Sequence, residues 1–85
     1  MASGKTENII RFSNETSHPA SAIPSSFLEG ITLQSTGSST SYPNGYGIVM
    51  TVIIGSRGFQ INTDGHSTMK LRSVLNAAWD DWKDS

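Results

Sequence analysis

Residues 45–54, Gly-Tyr-Gly-Ile-Val-Met-Thr-Val-Ile-Ile, are the only long unbroken apolar and β-branched run in the chain. Ile48, Val49, Val52, Ile53 and Ile54 carry side chains branched at Cβ, which fit a pleated strand better than a helix. Pro43-Asn44-Gly45 precedes the run and Gly55 ends it, so the sequence predicts a central strand with turns at both ends. Alternation puts Ile48, Met50, Val52 and Ile54 on one face and Val49, Thr51 and Ile53 on the other. Apart from Thr51 both faces are apolar, and both need a cover. A chain of 85 residues buries only about 60% of its unfolded surface and is short of material for two covers. The second cover is therefore expected to be another copy of the chain.

Composition narrows the function classes. Charged residues make up 15% of the chain against a usual level of about 25%, and the formal net charge is -1. Such a chain sets up no field to gather phosphates, which argues against nucleic acid and against an anionic membrane surface. No stretch approaches the ~18 apolar residues of a membrane span, and Met-Ala-Ser-Gly-Lys-Thr-Glu-Asn-Ile-Ile-Arg-Phe lacks a signal-peptide core. There is no cysteine, which removes disulfides and thiolate metal sites.

Along the chain, residues 1–26 are expected as a flexible N-terminal arm and loop, and residues 27–85 as an antiparallel β domain. Within the arm, Asn8-Ile9-Ile10-Arg11-Phe12 reads as a short strand or a segment docking on a neighbour. Residues 13–26, with Pro19 and Pro24, read as a long loop. Phe27, Glu29, Ile31 and Leu33 share one parity of a second strand over 27–34, with Gly30 at a bulge. Ser35-Thr36-Gly37-Ser38-Ser39-Thr40-Ser41 is low-complexity and is expected as an unpacked, mobile connection. Segments 46–54, 58–62 and 68–74 are predicted to form a β-meander. Asp64-Gly65 is expected in a type I′ turn, with Met69 and Leu71 inward and Lys70 and Arg72 in solvent. The tail is ambiguous: Leu75, Ala78, Trp79 and Trp82 have helical spacing, while a turn at 76–78 would instead give an edge strand with Trp79 and Trp82 pointing opposite ways.

The residues that could carry chemistry suit binding better than catalysis. Asp80, Asp81 and Asp84 crowd the tail, but a glycosidase needs two carboxyls in unlike environments across a cleft. No G-x-S-x-G elbow is present, and Gly55-Ser56-Arg57-Gly58 is too short for a phosphate loop. The expectation is no enzyme, no cofactor and no metal; His18 and His66 are the only histidines, and without cysteine they make no closed zinc site. Trp79 and Trp82 read as a core pair or as a platform for sugar rings, with Trp82 the edge residue. Tyr42 and Tyr46 flank a turn, where a phenol can stack and hydrogen-bond. Asn62, Asp64 and His66 converge on one hairpin end, as a solvated turn or as readers of sugar hydroxyls.

From about Tyr42 onward the order of elements resembles the small C-terminal β domains of bacteriophage tail fibres and baseplate receptor-binding proteins, the pyocin knob type included. The residues that carry the resemblance are Tyr42-Pro43-Asn44-Gly45-Tyr46-Gly47, Arg57-Gly58-Phe59-Gln60-Ile61, Met69-Lys70-Leu71-Arg72-Ser73, and Asn76 to Lys83 with its Trp-x-x-Trp. Ile48 and Met69-Lys70-Leu71 depart from that pattern, where the family has a Thr-like residue and an aromatic-led triplet. The resemblance implies a mainly β, antiparallel meander or sandwich assembled as a homotrimer in the virion, at the tip of a tail fibre or baseplate. It further implies a non-enzymatic receptor-binding module that touches host cell-surface polysaccharide. The residues expected to contact glycan are Tyr42, Tyr46, Arg57, Asp64, His66 and Trp82. The competing expectation is a trimerisation knob or spacer without receptor contact.

Overall fold

A computed structural model describes residues 10–65 and 67–84. The chain is mainly β, with one short 3-10 turn at Pro24–Ser26. Its strands are β1 (Ile10–Phe12), β2 (Gly30–Ser35), β3 (Ile48–Ile54), β4 (Arg57–Thr63), β5 (Met69–Leu75), β6 (Ala78–Trp79) and β7 (Lys83–Asp84). They form one sheet in the order β1-β2-β3-β4-β5-β6, with β7 beside β6 on the same edge of β5. The expected central strand is central. The expected meander is β3-β4-β5, antiparallel throughout.

The sheet is not purely antiparallel, because β1 runs parallel to β2. Two adjacent parallel strands need a crossover connection, and residues 13–29 supply it. They run over one face of the sheet as a lid, so residues 10–26 are part of the domain and not an arm outside it. Phe27, placed on a strand by its parity, instead lies in this crossover and is buried.

Register separates the two faces of the sheet sharply. Under the lid, Arg11, Thr32, Thr51, Gln60 and Arg72 are cross-strand neighbours in one row across five strands. The row is polar and hydrogen-bonded: Arg11 Nη1 donates to Thr32 Oγ1 at 3.1 Å, Gln60 Nε2 to Thr51 Oγ1 at 2.9 Å, and Arg72 Nε to Gln60 Oε1 at 2.7 Å. On the opposite face Phe12, Leu33, Met50, Ile61 and Leu71 form the matching row, all apolar. Beside it run Ile10, Ile31, Val52 and Phe59. Among the described residues nothing covers this second face: Phe12 is 83% exposed, Ile54 69% and Ile48 51%.

The burial expected for β5 is therefore inverted. Arg72, assigned to solvent by simple alternation, is buried at 8% exposure, while Met69 is 43% exposed. The cause is the lid. A segment without regular structure carries backbone carbonyls that need donors, and a polar sheet face provides them. Arg72 Nη2 donates to Ala20 O at 2.7 Å, Gln34 Nε2 to His18 O at 3.0 Å, and Arg11 to the carbonyls of Leu28 and Glu29.

Turn chemistry follows the same local logic. Gly55 (φ 61°) takes the first central position of the two-residue β3-β4 turn, the type II′ arrangement that favours glycine. The type I′ turn expected at Asp64-Gly65 is absent there: of those two residues only Gly65 has positive φ, and the loop runs on to Thr68. Asn76 (φ 55°) and Ala77 (φ 66°) both have positive φ, so the I′ geometry falls between β5 and β6, where Leu75 pairs with Ala78. The tail is thus strand, not helix.

Candidate functional site

Trp79 and Trp82 do not point opposite ways. Both lie against Arg72, whose guanidinium carbon is 5.0 Å from the Trp79 ring centroid and 4.3 Å from that of Trp82. Trp79 Nε1 also donates to Ala22 O at 2.8 Å, and Trp82 meets Tyr42 edge-on at 6.1 Å. The pair clamps the lid and the tail over a buried cation. Burial pushes the Arg72 pKa down and the Tyr42 phenol up, the first by loss of water around a charge, the second by the cost of forming one.

The glycan residues expected from sequence fall in different places. Tyr42 is buried at 3% exposure, and its hydroxyl donates to His18 O at 2.8 Å. Trp82 is half-buried in the clamp. Asp64 Oδ1 accepts the N–H groups of Ser67 and Thr68 at 3.0 and 3.1 Å and so closes the β4-β5 loop. Tyr46 is 78% exposed, in a left-handed conformation (φ 53°) just before β3. Arg57 is exposed at the other end of the sheet. His66 lies outside the described residues.

Arg57 pairs with Ile54 at one end of the β3-β4 ladder and Thr63 with Ile48 at the other, so about 20 Å of strand separates Arg57 from the Tyr46 and Asp64 end. The five described residues do not meet in one site. The low-complexity segment, expected to be unpacked, is held instead: Glu15 accepts from Thr40 Oγ1 at 2.5 Å, Ser41 N at 2.6 Å and Ser41 Oγ at 2.9 Å. Those bonds, the Thr40 hydroxyl first, keep the Glu15 pKa below its ordinary value. Thr36 is buried and bonds the Asn44 and Gly47 backbone.

Two surfaces remain for a partner or ligand. One is the open apolar sheet face. The other is a cleft of about 400 Å³ between the lid and the Gly55 end of the sheet. Its floor is Phe27, Ile53 and Val74; at its rim are Glu29, Arg57, Ser25 and Ser56. Glu29 and Arg57 do not pair with each other; Glu29 Oε2 accepts the Gly55 N–H at 2.6 Å. Sequence reasoning singled out Arg57 but missed Glu29, because a carboxylate on a predicted strand of mixed parity gives no sign that a crossover will carry it to a turn 26 residues away. Among the described residues, no group of three His, Cys, Asp or Glu is placed to hold a metal ion.

No family model, no curated protein and no solved structure matches this chain.

Proposed function

We propose that the chain is a non-enzymatic adhesion module of a bacteriophage tail fibre or baseplate tip, assembled as a homotrimer through its open sheet face and touching host cell-surface glycan with its lidded side. The observation that supports the assembly is the apolar row from Phe12 to Leu71, with nothing over it among the described residues. Three seven-residue strands, β3, β4 and β5, with the six-residue β2 and three-residue β1 beside them, make a patch roughly 20 Å across that narrows toward β1. Apolar patches of this size on a small protein mark interaction surfaces.

A second copy fits that face better than an unlike partner. Among the described strand residues, Arg57 and Lys83 are the charged ones whose register places them on that face, both cationic and both at its margins, so the face lacks the mixed charge pattern by which unlike partners are selected. Packing copies about an axis would also turn every lid outward, leaving lid loops and cleft free. Affinity for glycan would then come from several weak contacts on one particle.

A structural knob or spacer is the second reading. It is favoured by Tyr42, Asp64 and Trp82 being committed to packing and to a turn. Light scattering on the intact chain, read beside a glycan array, separates the two. A trimer that binds glycan supports adhesion, and a trimer that binds none supports the knob. A monomer at 100 μM, about the upper range used in such measurements, overturns both, since a weak association of about 10 μM would be mostly formed there.

A further inference from the structure

We infer that the cleft between Glu29 and Arg57 is a binding site for a carboxylate-bearing sugar. This deepens the glycan reading and rests on it. The cleft is at the small end of the range for ligand sites, and its floor of Phe27, Ile53 and Val74 offers an apolar surface to the C–H face of a single ring. Its rim holds polar groups with capacity to spare: the side chains of Arg57, Ser25 and Ser56 have no hydrogen-bond or ionic partner among the described residues.

The types of group at the rim select the ligand class. An unspent guanidinium is a planar fork that matches a carboxylate through two parallel N–H···O bonds. Glu29 gives one oxygen to the Gly55 amide, which fixes the carboxylate at the rim and leaves the other to accept a hydroxyl. Ser25 and Ser56 can donate or accept. A ring bearing one carboxylate and neighbouring hydroxyls satisfies all of these at once, and a neutral sugar leaves Arg57 without a counter-charge. The floor of the cleft lies on the lidded side, while Arg57 stands at the Gly55 end of the sheet and also borders the open face, so the site stays open where assembly through the apolar row leaves that end uncovered.

The test is titration of the intact chain with glucuronate, glucose and inorganic phosphate, followed by calorimetry or ligand-observed NMR, for wild type, Arg57→Gln and Glu29→Gln. Thermal melts establish that each variant is folded; both substituted groups are exposed. Glucuronate is expected to bind about tenfold or more tightly than glucose, with that preference lost in Arg57→Gln and the affinity for both sugars lowered in Glu29→Gln. Equal binding of glucose and glucuronate overturns the assignment, and so does phosphate competing as well as glucuronate. Glycan-array binding that survives both substitutions overturns this site while leaving adhesion standing. An array on which wild type binds nothing overturns the site and the adhesion reading together.

Discussion

The Arg72 guanidinium stacks on the Trp82 ring at 4.3 Å, and the same cation faces Trp79 at 5.0 Å from its other neighbour in the tail. Its hydrogen bonds go to neutral oxygens, Gln60 Oε1 and Ala20 O, so one buried charge ties strand, lid and tail together. Arg72→Ala strands the Gln60 and Ala20 oxygens and both indoles, and is expected to cost about 3–5 kcal/mol in urea unfolding. Arg72→Lys keeps the charge but loses the planar fork, and is expected to recover less than half of that loss.

The central strand and the three-strand meander were legible because Ile48 to Ile54 and Phe59 to Ile61 declare their period directly. What the sequence hid was which side of the sheet is inside. Alternation in Met69-Lys70-Leu71-Arg72 marks two faces but not their destinations, and the usual rule sends the charged face to water. Here the crossover of 13–29 covers the polar face, a decision made by β1 pairing parallel to β2 rather than by any residue of β5. The cleft was hidden for the same reason, since Glu29 reaches Gly55 only through that crossover.

Ala77 holds φ 66°, a left-handed conformation that costs a residue with a Cβ about 1–2 kcal/mol. Asn76 tolerates its φ of 55° better, and Asn-Gly is the preferred pair for this turn. Ala77→Gly is expected to stabilise the chain by about 1 kcal/mol, less the entropy a new glycine loses on folding, and to raise Tm by several degrees. A fall in Tm would contradict the turn geometry.

Gly47 allows no side chain. A Cβ there would sit 1.9 Å from the Thr63 carbonyl oxygen, and that oxygen belongs to backbone at the end of β4. Gly47→Ala is expected to exceed the ~3 kcal/mol of ordinary overpacking and to leave little folded chain. Gly37→Ala, where a Cβ meets nothing within 4 Å, is the matched control and should stay close to wild type.

Met50 is at the middle of the open apolar row, between Leu33 and Ile61. Under the proposed assembly through this face, Met50→Glu should give a folded monomer, read as a drop in mass by light scattering with the circular dichroism spectrum retained. Wild-type Tm should rise with protein concentration and that of the variant should not. If Met50→Glu keeps the wild-type mass, the copies meet elsewhere.

Two carboxylates contribute to the acid limb of stability. The Thr40 and Ser41 hydrogen bonds lower the Glu15 pKa, and the Ser73 N–H, then Lys83, lower that of Asp80. A pKa depressed in the folded state gives stability that is full above the unfolded carboxylate value near pH 4 and fades as pH falls through the folded one. Stability should therefore decline below about pH 4. Glu15→Gln should flatten that decline and leave a lower plateau at neutral pH, checked by urea midpoints across the range.

The parallel partnership of β1 and β2 also bears on the order in which the molecule is put together. Hairpins β3-β4 and β4-β5 close through short turns and can assemble from neighbouring residues alone. The carbonyls of Ala20 and Ala22 find their donors only once Arg72 and Trp79, more than fifty positions later, are in place. The crossover of 13–29 is thus expected to settle last, and until it does the polar row stands in water beside a greasy counterpart that is already formed.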